Sequence, residues 1–213
     1  MSEEREQEVF HMIMNHSKTQ RMTGLALFTG IIVVLQVIGT FVKFGPFSIT
    51  LTLIPIVVGA ALYGPKSGAY LGGVFGFVVL VACIFGWDMG GAVLWNAQPL
   101  LTAVVCLGKG VLAGLAAGGV YRALSRRSTT AAAISAAVVS PVVNTGLFLL
   151  ALYFLFYDVL VSLATGAGAD IATYILTGLV GVNFVLELGV NMVLSPVVVR
   201  IIHARKAMPN RRA

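Results

Sequence analysis

The chain has 213 residues, of which 58% are hydrophobic and only 10% are charged, whereas a soluble domain carries about 25% charged residues. This composition excludes a soluble catalytic domain and predicts an all-α integral membrane protein. The formal net charge is +6, but the basic residues lie at the ends of apolar segments, a pattern typical of membrane topology signals that argues against nucleic-acid binding.

Six membrane spans are predicted, because a hydrocarbon core about 30 Å thick needs about 20 apolar residues per helix. The apolar runs that supply them cover residues 23–43, 48–63, 67–86, 99–124, 131–157 and 171–202. The chain then divides into an N-terminal cytoplasmic segment (1–22), a six-helix transmembrane domain (23–203) and a basic cytoplasmic tail (204–213).

Residues 3–18, ahead of the first span, leave two interpretations open. Phe10, Ile13 and Met14 would lie along one face of a short amphipathic helix, on the membrane or against a partner. A partly ordered cytoplasmic lead-in fits the same residues equally well.

Lys and Arg are concentrated in alternate connections, which predicts that both termini are cytoplasmic. The side opposite the termini has only Lys43, beside Asp88, Asp158 and Asp170. The predicted cytoplasmic side has Arg5, Lys18, Arg21, Lys66, Arg122, Arg126, Arg127, Arg200, Arg205, Lys206, Arg211 and Arg212.

Small residues recur at four-residue spacing in three spans and leave flat helix faces that another helix can approach closely. In the third and fourth spans this pattern favours internal packing. In the first span, packing within the protein and docking of an external partner both remain open. The series are Ala26 and Gly30; Gly68, Gly72 and Gly76; and Gly110, Gly114 and Gly118.

Two charged residues are expected at membrane depth, Lys109 in the fourth span and Glu187 in the sixth. A charge at the centre of the bilayer costs about 2.5–3.5 kcal/mol even on a lenient insertion scale. Three arrangements stay open: the two side chains pair with each other, Lys109 faces a cavity and receives an anionic ligand group, or Lys109 reaches back to the membrane surface.

Amide and hydroxyl side chains accompany these charges. Asn183, Glu187 and Asn191 are spaced four residues apart and form one polar stripe on the last span, while Asn144 and Thr145 lie near the middle of the fifth. Their convergence predicts a polar pocket for a ligand with carbonyl, hydroxyl or amide groups. Hydrogen bonds between helices are the alternative explanation for one or two of them.

The segment from Gly86 to Pro99 mixes aromatic, amide and glycine residues, among them Asn96 and Gln98. It is suited to covering a ligand, although interfacial anchoring explains Trp87 and Trp95 as well. Gln98 marks the start of the fourth span.

Catalytic arrangements are not expected. His11, His16 and His203 lie in predicted cytoplasmic segments, Cys83 and Cys106 are interpreted as small hydrophobic residues, and the sequence has neither an HExxH motif nor a phosphate-binding loop. We therefore predict no enzyme and no cofactor, so active transport would draw its energy from an ion gradient or from separate subunits.

The run from Ile49 to Gly72, ITLTLIPIVVGAALYGPKSGAYLG, followed by the Gly-rich fourth span, resembles the S components of energy-coupling factor (ECF) transporters. The similarity extends over residues 22–203. Its most specific part is Pro55 to Gly72.

The resemblance implies a six-helix, multi-pass protein of the bacterial plasma membrane that binds a vitamin or related micronutrient from outside. Such a protein would dock on a membrane coupling protein and two cytoplasmic ATPases. The family's alanine motif for the coupling protein corresponds here to Ala26 and Gly30. By region, the ligand-binding residues would be Asn96, Gln98, Lys109, Asn144, Asn183 and Glu187.

Related transporters take up pantothenate, riboflavin, folate and other vitamins, and the resemblance does not select one of them. Pantothenate is preferred because its single carboxylate suits one buried lysine and its hydroxyl and amide groups suit several Asn and Gln side chains. A cationic vitamin would instead require Glu187 to face the cavity with Lys109 turned away.

Two rival functions are weighed against this one. A self-sufficient secondary transporter would use Lys109 and Glu187 as a proton or ion relay, and it predicts inverted repeats and broken helices. We find no convincing repeat between the two halves of the sequence. A membrane scaffold without transport activity predicts a protein partner and no ligand, and the polar stripe argues against it.

Overall fold

The computed structural model describes residues 3–41, 50 and 52–207. For some helical residues only the backbone is described, namely 3–17, 178, 180–183, 203 and 205–207. All regular structure in the described residues is helical. The helices are α1 (Glu3–Phe41), α2 (Leu53–Tyr63), α3 (Pro65–Ile84), α4 (Met89–Ala97), α5 (Pro99–Leu124), α6 (Thr129–Leu155), α7 (Tyr157–Gly166), α8 (Ile171–Thr173), a π-helix (Tyr174–Phe184) and α9 (Val185–Ala207).

Five of the described helices have segments long and apolar enough to cross a membrane. A sixth span is obtained if α7 and residues 171–177 are taken together, although a bend of 90° separates them. The prediction of an all-α membrane protein is therefore confirmed. The five segments are 18–41, 65–84, 99–124, 129–155 and 185–202.

Three elements differ from the predicted spans. The second predicted span is the short helix α2, which has 11 residues and a length of about 16 Å. Most of its residues are buried because it is apolar on all sides. The predicted connection between residues 86 and 99 contains α4, and the last predicted span is divided between α8, the π-helix and α9.

Helices α3 and α5 run antiparallel with their backbones in contact. A methyl group added at Gly72 would overlap the Gly110 carbonyl oxygen, and one added at Gly68 would overlap that of Gly114. The two glycine series predicted from the sequence therefore face each other, and the absence of side chains allows this close approach.

Helices α6 and α9 also run antiparallel. Thr145 bonds Glu187, and further along the pair Ala133 and Val198 belong to one buried cluster. Both helices contain an internal proline, Pro141 in α6 and Pro196 in α9.

Pro196 has no N–H to bond the Met192 carbonyl. The hydroxyl of Ser195 donates to that carbonyl at 2.8 Å. A neighbouring side chain thus replaces the missing backbone hydrogen bond, as is common in membrane helices.

The two ends of the bundle differ in charge. Helix α3 begins and α5 ends at one end of the bundle, which we call the basic end. The other end, where α3 ends and α5 begins, is called the opposite end. Among the described residues, the opposite end holds Asp88, Asp158 and Asp170, whereas the basic end holds Lys66, Arg122, Arg126, Arg127 and Arg200.

Each end also has its own apolar cluster. Near the basic end, Tyr121, Ala133 and Ile202 belong to a buried cluster of α2, α5, α6 and α9. Near the opposite end, a second cluster includes Leu152 and Phe156.

Candidate ligand-binding cavity

A cavity lies between α3, α5, α6 and α9, and residues of α1 and α4 complete its wall. It encloses about 930 Å³ of empty space, counting the part that is open to solvent. Several residues of the apolar cluster at the opposite end line it, including Leu94, Leu152 and Phe156. The cavity therefore occupies the half of the bundle towards the opposite end.

Lys109 supplies the positive charge of the cavity wall. Its ammonium nitrogen lies 4.7 Å from the centroid of the Phe148 ring, on the neighbouring helix α6. This cation–π contact partly replaces water around the charge. Among the described residues, no carboxylate forms an ion pair with Lys109.

Glu187 lies in the first turn of α9, directly after the π-helix. Only 5% of its surface is exposed. The Thr145 hydroxyl donates to Oε2 at 3.0 Å, and Thr50 lies beside the same carboxyl group. Oε1 nevertheless has no hydrogen-bond partner among the described residues. The charges of Lys109 and Glu187 attract each other without a direct ion pair.

Asn144 and Asn191 extend the polar surface along α6 and α9. Asn144 lines the cavity, and its Oδ1 atom has no hydrogen-bond partner among the described residues. The Asn191 amide donates to the Glu187 backbone carbonyl at 2.7 Å, whereas its own Oδ1 is buried without a partner in this part of the chain. Two buried amide oxygens are thus left to accept hydrogen bonds.

The predicted site residues fall into three groups. Lys109, Asn144 and Glu187 line one cavity. Asn96 and Gln98 are exposed at the end of α4 and are not among the lining residues. Asn183 belongs to the π-helix, and its side chain lies outside the described residues.

The structure adds lining residues that the sequence did not single out. Gln36 and Thr40 come from α1, where Thr40 donates to the Gln36 carbonyl at 2.7 Å. The Gln36 side chain in turn accepts a hydrogen bond from Thr52 at 3.1 Å. The four-residue spacing of Gln36 and Thr40 is the signal that would have found them. Thr50, Asp88, Thr102, Cys83 and Cys106 also line the cavity.

Within the described residues, no group of three or more His, Cys, Asp or Glu side chains is arranged to hold a metal ion. Cys83 and Cys106 are free thiols, both buried.

The predicted docking residues lie on the outside of the bundle. Ala26 and Gly30 are both exposed on α1, and a methyl group added at Gly30 would have no atom within 4 Å. Leu27 and Val34 on the same helix are also exposed. This surface of α1, which we call the α1 patch, is not used for packing within the described bundle.

Comparison with known proteins places the chain in a family. Residues 20–199 match the family described as ECF transporter, substrate-specific component. No match is found among curated proteins. The matched range begins within α1, ends within α9 and includes every described residue that lines the cavity. The chain therefore belongs to the family of substrate-specific components of ECF transporters and is a multi-pass membrane protein.

Proposed function

We propose that the protein captures a vitamin-like carboxylate, with pantothenate as the best candidate, and delivers it to an ECF module of one coupling protein and two ATPases. The position of Lys109 is the observation that supports a carboxylate ligand. Its ammonium group lines the cavity and has no carboxylate partner among the described residues. A carboxylate ligand would supply the opposite charge that this half-buried cation lacks.

The other polar groups favour a ligand that also donates hydrogen bonds. Glu187 Oε1 and Asn144 Oδ1 are buried acceptors without donors among the described residues. Pantothenate has two hydroxyl groups and one amide N–H besides its single carboxylate. Its methyl groups suit the apolar wall formed by Phe148, Leu149 and Leu152.

The charge difference between the two ends supports an orientation with both termini in the cytoplasm. Basic connections are retained on the cytoplasmic side of a membrane, and the described Lys and Arg residues of the connections lie at the basic end. The cavity occupies the other half of the bundle. It would then receive its ligand from outside the cell.

The test is to solubilise the protein gently from its own host and to record its bound molecules by native mass spectrometry. We expect one membrane coupling protein, two ATPases and a small carboxylate in the same complex. In cells, uptake should stop on ATP depletion. Uptake that withstands ATP depletion and stops only with an ionophore would contradict the proposal and favour an ion-coupled transporter.

Gly30→Leu is expected to reduce recovery of the coupling protein at least about tenfold, because a bulky side chain would hold two helices apart at a small-residue contact. Ligand binding should remain, since Gly30 does not line the cavity. Gly119→Leu is the matched control, because Gly119 is exposed on α5 and a methyl group there also meets no atom within 4 Å. Equal recovery of both variants would exclude the α1 patch as the docking surface.

A further inference from the structure

The cavity wall contains ionisable side chains of both signs. Lys109 and Glu187 line it together, and their charges attract each other although they do not form a direct ion pair. Without a ligand, the charge of Lys109 therefore partly offsets that of Glu187. Asp88 is the other carboxylate among the described lining residues, and it has interactions of its own.

A bound carboxylate changes this balance. If the ligand's carboxylate binds Lys109, as the proposed function requires, the attraction that Lys109 exerts on Glu187 is largely cancelled. Glu187 is then a buried anion that has the Thr145 hydroxyl as a donor at Oε2 and Thr50 beside the carboxyl group, and neither hydroxyl supplies a positive charge. An uncompensated charge in such a place is strongly unfavourable.

The surroundings of Glu187 are rich in oxygen atoms that lack a partner. Asn144 Oδ1, Ser140 Oγ and Asn191 Oδ1 are buried, and none has a hydrogen bond among the described residues. Ser140 and Asn144 are one turn apart on α6, as Glu187 and Asn191 are on α9, and the two helices face each other at these turns. Exposure is 5% for Glu187, 3% for Asn144, 2% for Asn191 and 0% for Ser140.

Oxygen atoms from a carboxylate, amides and a hydroxyl are the ligands that hard cations prefer. One carboxylate among neutral oxygens matches a single positive charge. Because carboxylate and amide oxygens each have two lone pairs, Glu187 and Asn144 can accept a hydrogen bond from the ligand and still contact a cation. The four unpaired atoms are therefore better explained by a cation than by packing alone.

We propose that a monovalent cation, a sodium ion or a proton, binds beside Glu187 when an anionic ligand occupies Lys109. This inference rests on the proposed carboxylate ligand and extends it: binding of the anion and of the cation is coupled. By linkage, the cation raises the affinity for the anion, and the anion raises the affinity for the cation by the same factor.

Lys109→Met tests the inference without any ligand, because removing the ammonium group leaves Glu187 uncompensated just as an anionic ligand would. The purified full-length variant in lipid nanodiscs should melt about 5 °C higher in sodium chloride than in choline chloride, or at acidic than at alkaline pH. Wild-type protein without ligand should show neither difference. Lys109→Met/Glu187→Gln should also lose both, which separates Glu187 from Asp88, Cys83 and Cys106, the other titratable residues described in the cavity wall.

The two series identify the cation. Dependence on sodium at constant pH indicates the metal ion, and dependence on pH in choline chloride indicates the proton. A melting temperature of Lys109→Met that is constant in both series overturns the inference. The inference is also overturned if the melting temperature of the double variant still depends on sodium or on pH. It is likewise overturned if Lys109→Met stays unfolded under every condition while the double variant folds.

Pantothenate binding supplies the second measurement. Wild-type affinity should rise at least about tenfold with sodium or with acid, and Glu187→Gln should bind equally well in all conditions. If pantothenate binds with the same affinity at every sodium concentration and every pH, the proposed cation is excluded and the proposed ligand is retained. Absence of pantothenate binding at every condition instead counts against the proposed ligand, and the ligand-free melting series then decides on the cation.

Discussion

Lys109→Met is expected to weaken pantothenate binding about 100-fold, which corresponds to about 2.7 kcal/mol. The substitution retains a long side chain that can still contact Phe148 but removes the only described positive charge of the cavity wall. Truncation of one partner of a buried charge pair typically costs 2–5 kcal/mol, because the other charge is left unpaired. Equilibrium binding to protein in nanodiscs, measured by isothermal titration calorimetry in sodium chloride, checks this result.

Lys66→Met is the control for this experiment. Lys66 is an exposed lysine at the start of α3, at the basic end, and it does not line the cavity. Its replacement removes the same charge from the chain and should leave the dissociation constant unchanged. If Lys109→Met binds pantothenate as tightly as Lys66→Met, the proposed contact between carboxylate and lysine is wrong.

Gly72→Ala is expected to destabilise the fold by about 3 kcal/mol, since a methyl group would overlap the Gly110 carbonyl group on α5. Neither backbone can move away without disturbing the neighbouring contact between Gly68 and Gly114. The melting temperature of the purified protein, followed by tryptophan fluorescence, should fall by several degrees relative to wild type.

Gly73→Ala provides the matched comparison, one residue further along the same helix. A methyl group at Gly73 would lie 3.4 Å from a methyl carbon of Val111, which is close to an ordinary contact, and alanine is favoured over glycine in a helix by up to about 1 kcal/mol. We expect wild-type stability or slightly more. Equal melting temperatures for the two variants would show that α3 and α5 do not pack through the glycine faces.

The fold class was predictable because a segment that crosses the bilayer must be apolar and about 20 residues long, and both properties can be read from the sequence. Helix α5, the fourth predicted span, begins at Pro99 and ends at Leu124, as predicted. Proline is favoured in the first turn of a helix, and the basic residue Arg122 marks the membrane boundary. The second predicted span, 48–63, contains the helix Leu53–Tyr63, and its residues 48, 49 and 51 lie outside the described part of the chain.

Three of the six proposed ligand residues, Lys109, Asn144 and Glu187, line the cavity, and they share one property. A charge or an amide inside an apolar helix is costly without a partner, so its presence predicts a polar environment nearby. Asn96 and Gln98 were chosen by chain position, which gives depth in the membrane but not the direction of a side chain. Both are exposed outside the cavity lining.

Thr40 and Thr102, which also line the cavity, were not predicted for a related reason. Thr40 and Thr102 each donate to the carbonyl four residues earlier in the chain. Such a threonine satisfies its own hydroxyl within the helix and is therefore common in membrane spans. Only the packing of the helices shows that these side chains also line a cavity.

Helix α1 has a mechanical consequence for the protein as a whole. It continues for 39 residues without a break, which gives a length of about 58 Å, whereas the hydrocarbon core is about 30 Å thick. A helix that extends about 28 Å beyond the core converts a tilt of about 20° into a displacement of about 10 Å at its tip. Small rotations of the bundle inside the lipid are thereby amplified into large movements outside it, on the same helix that carries Ala26 and Gly30.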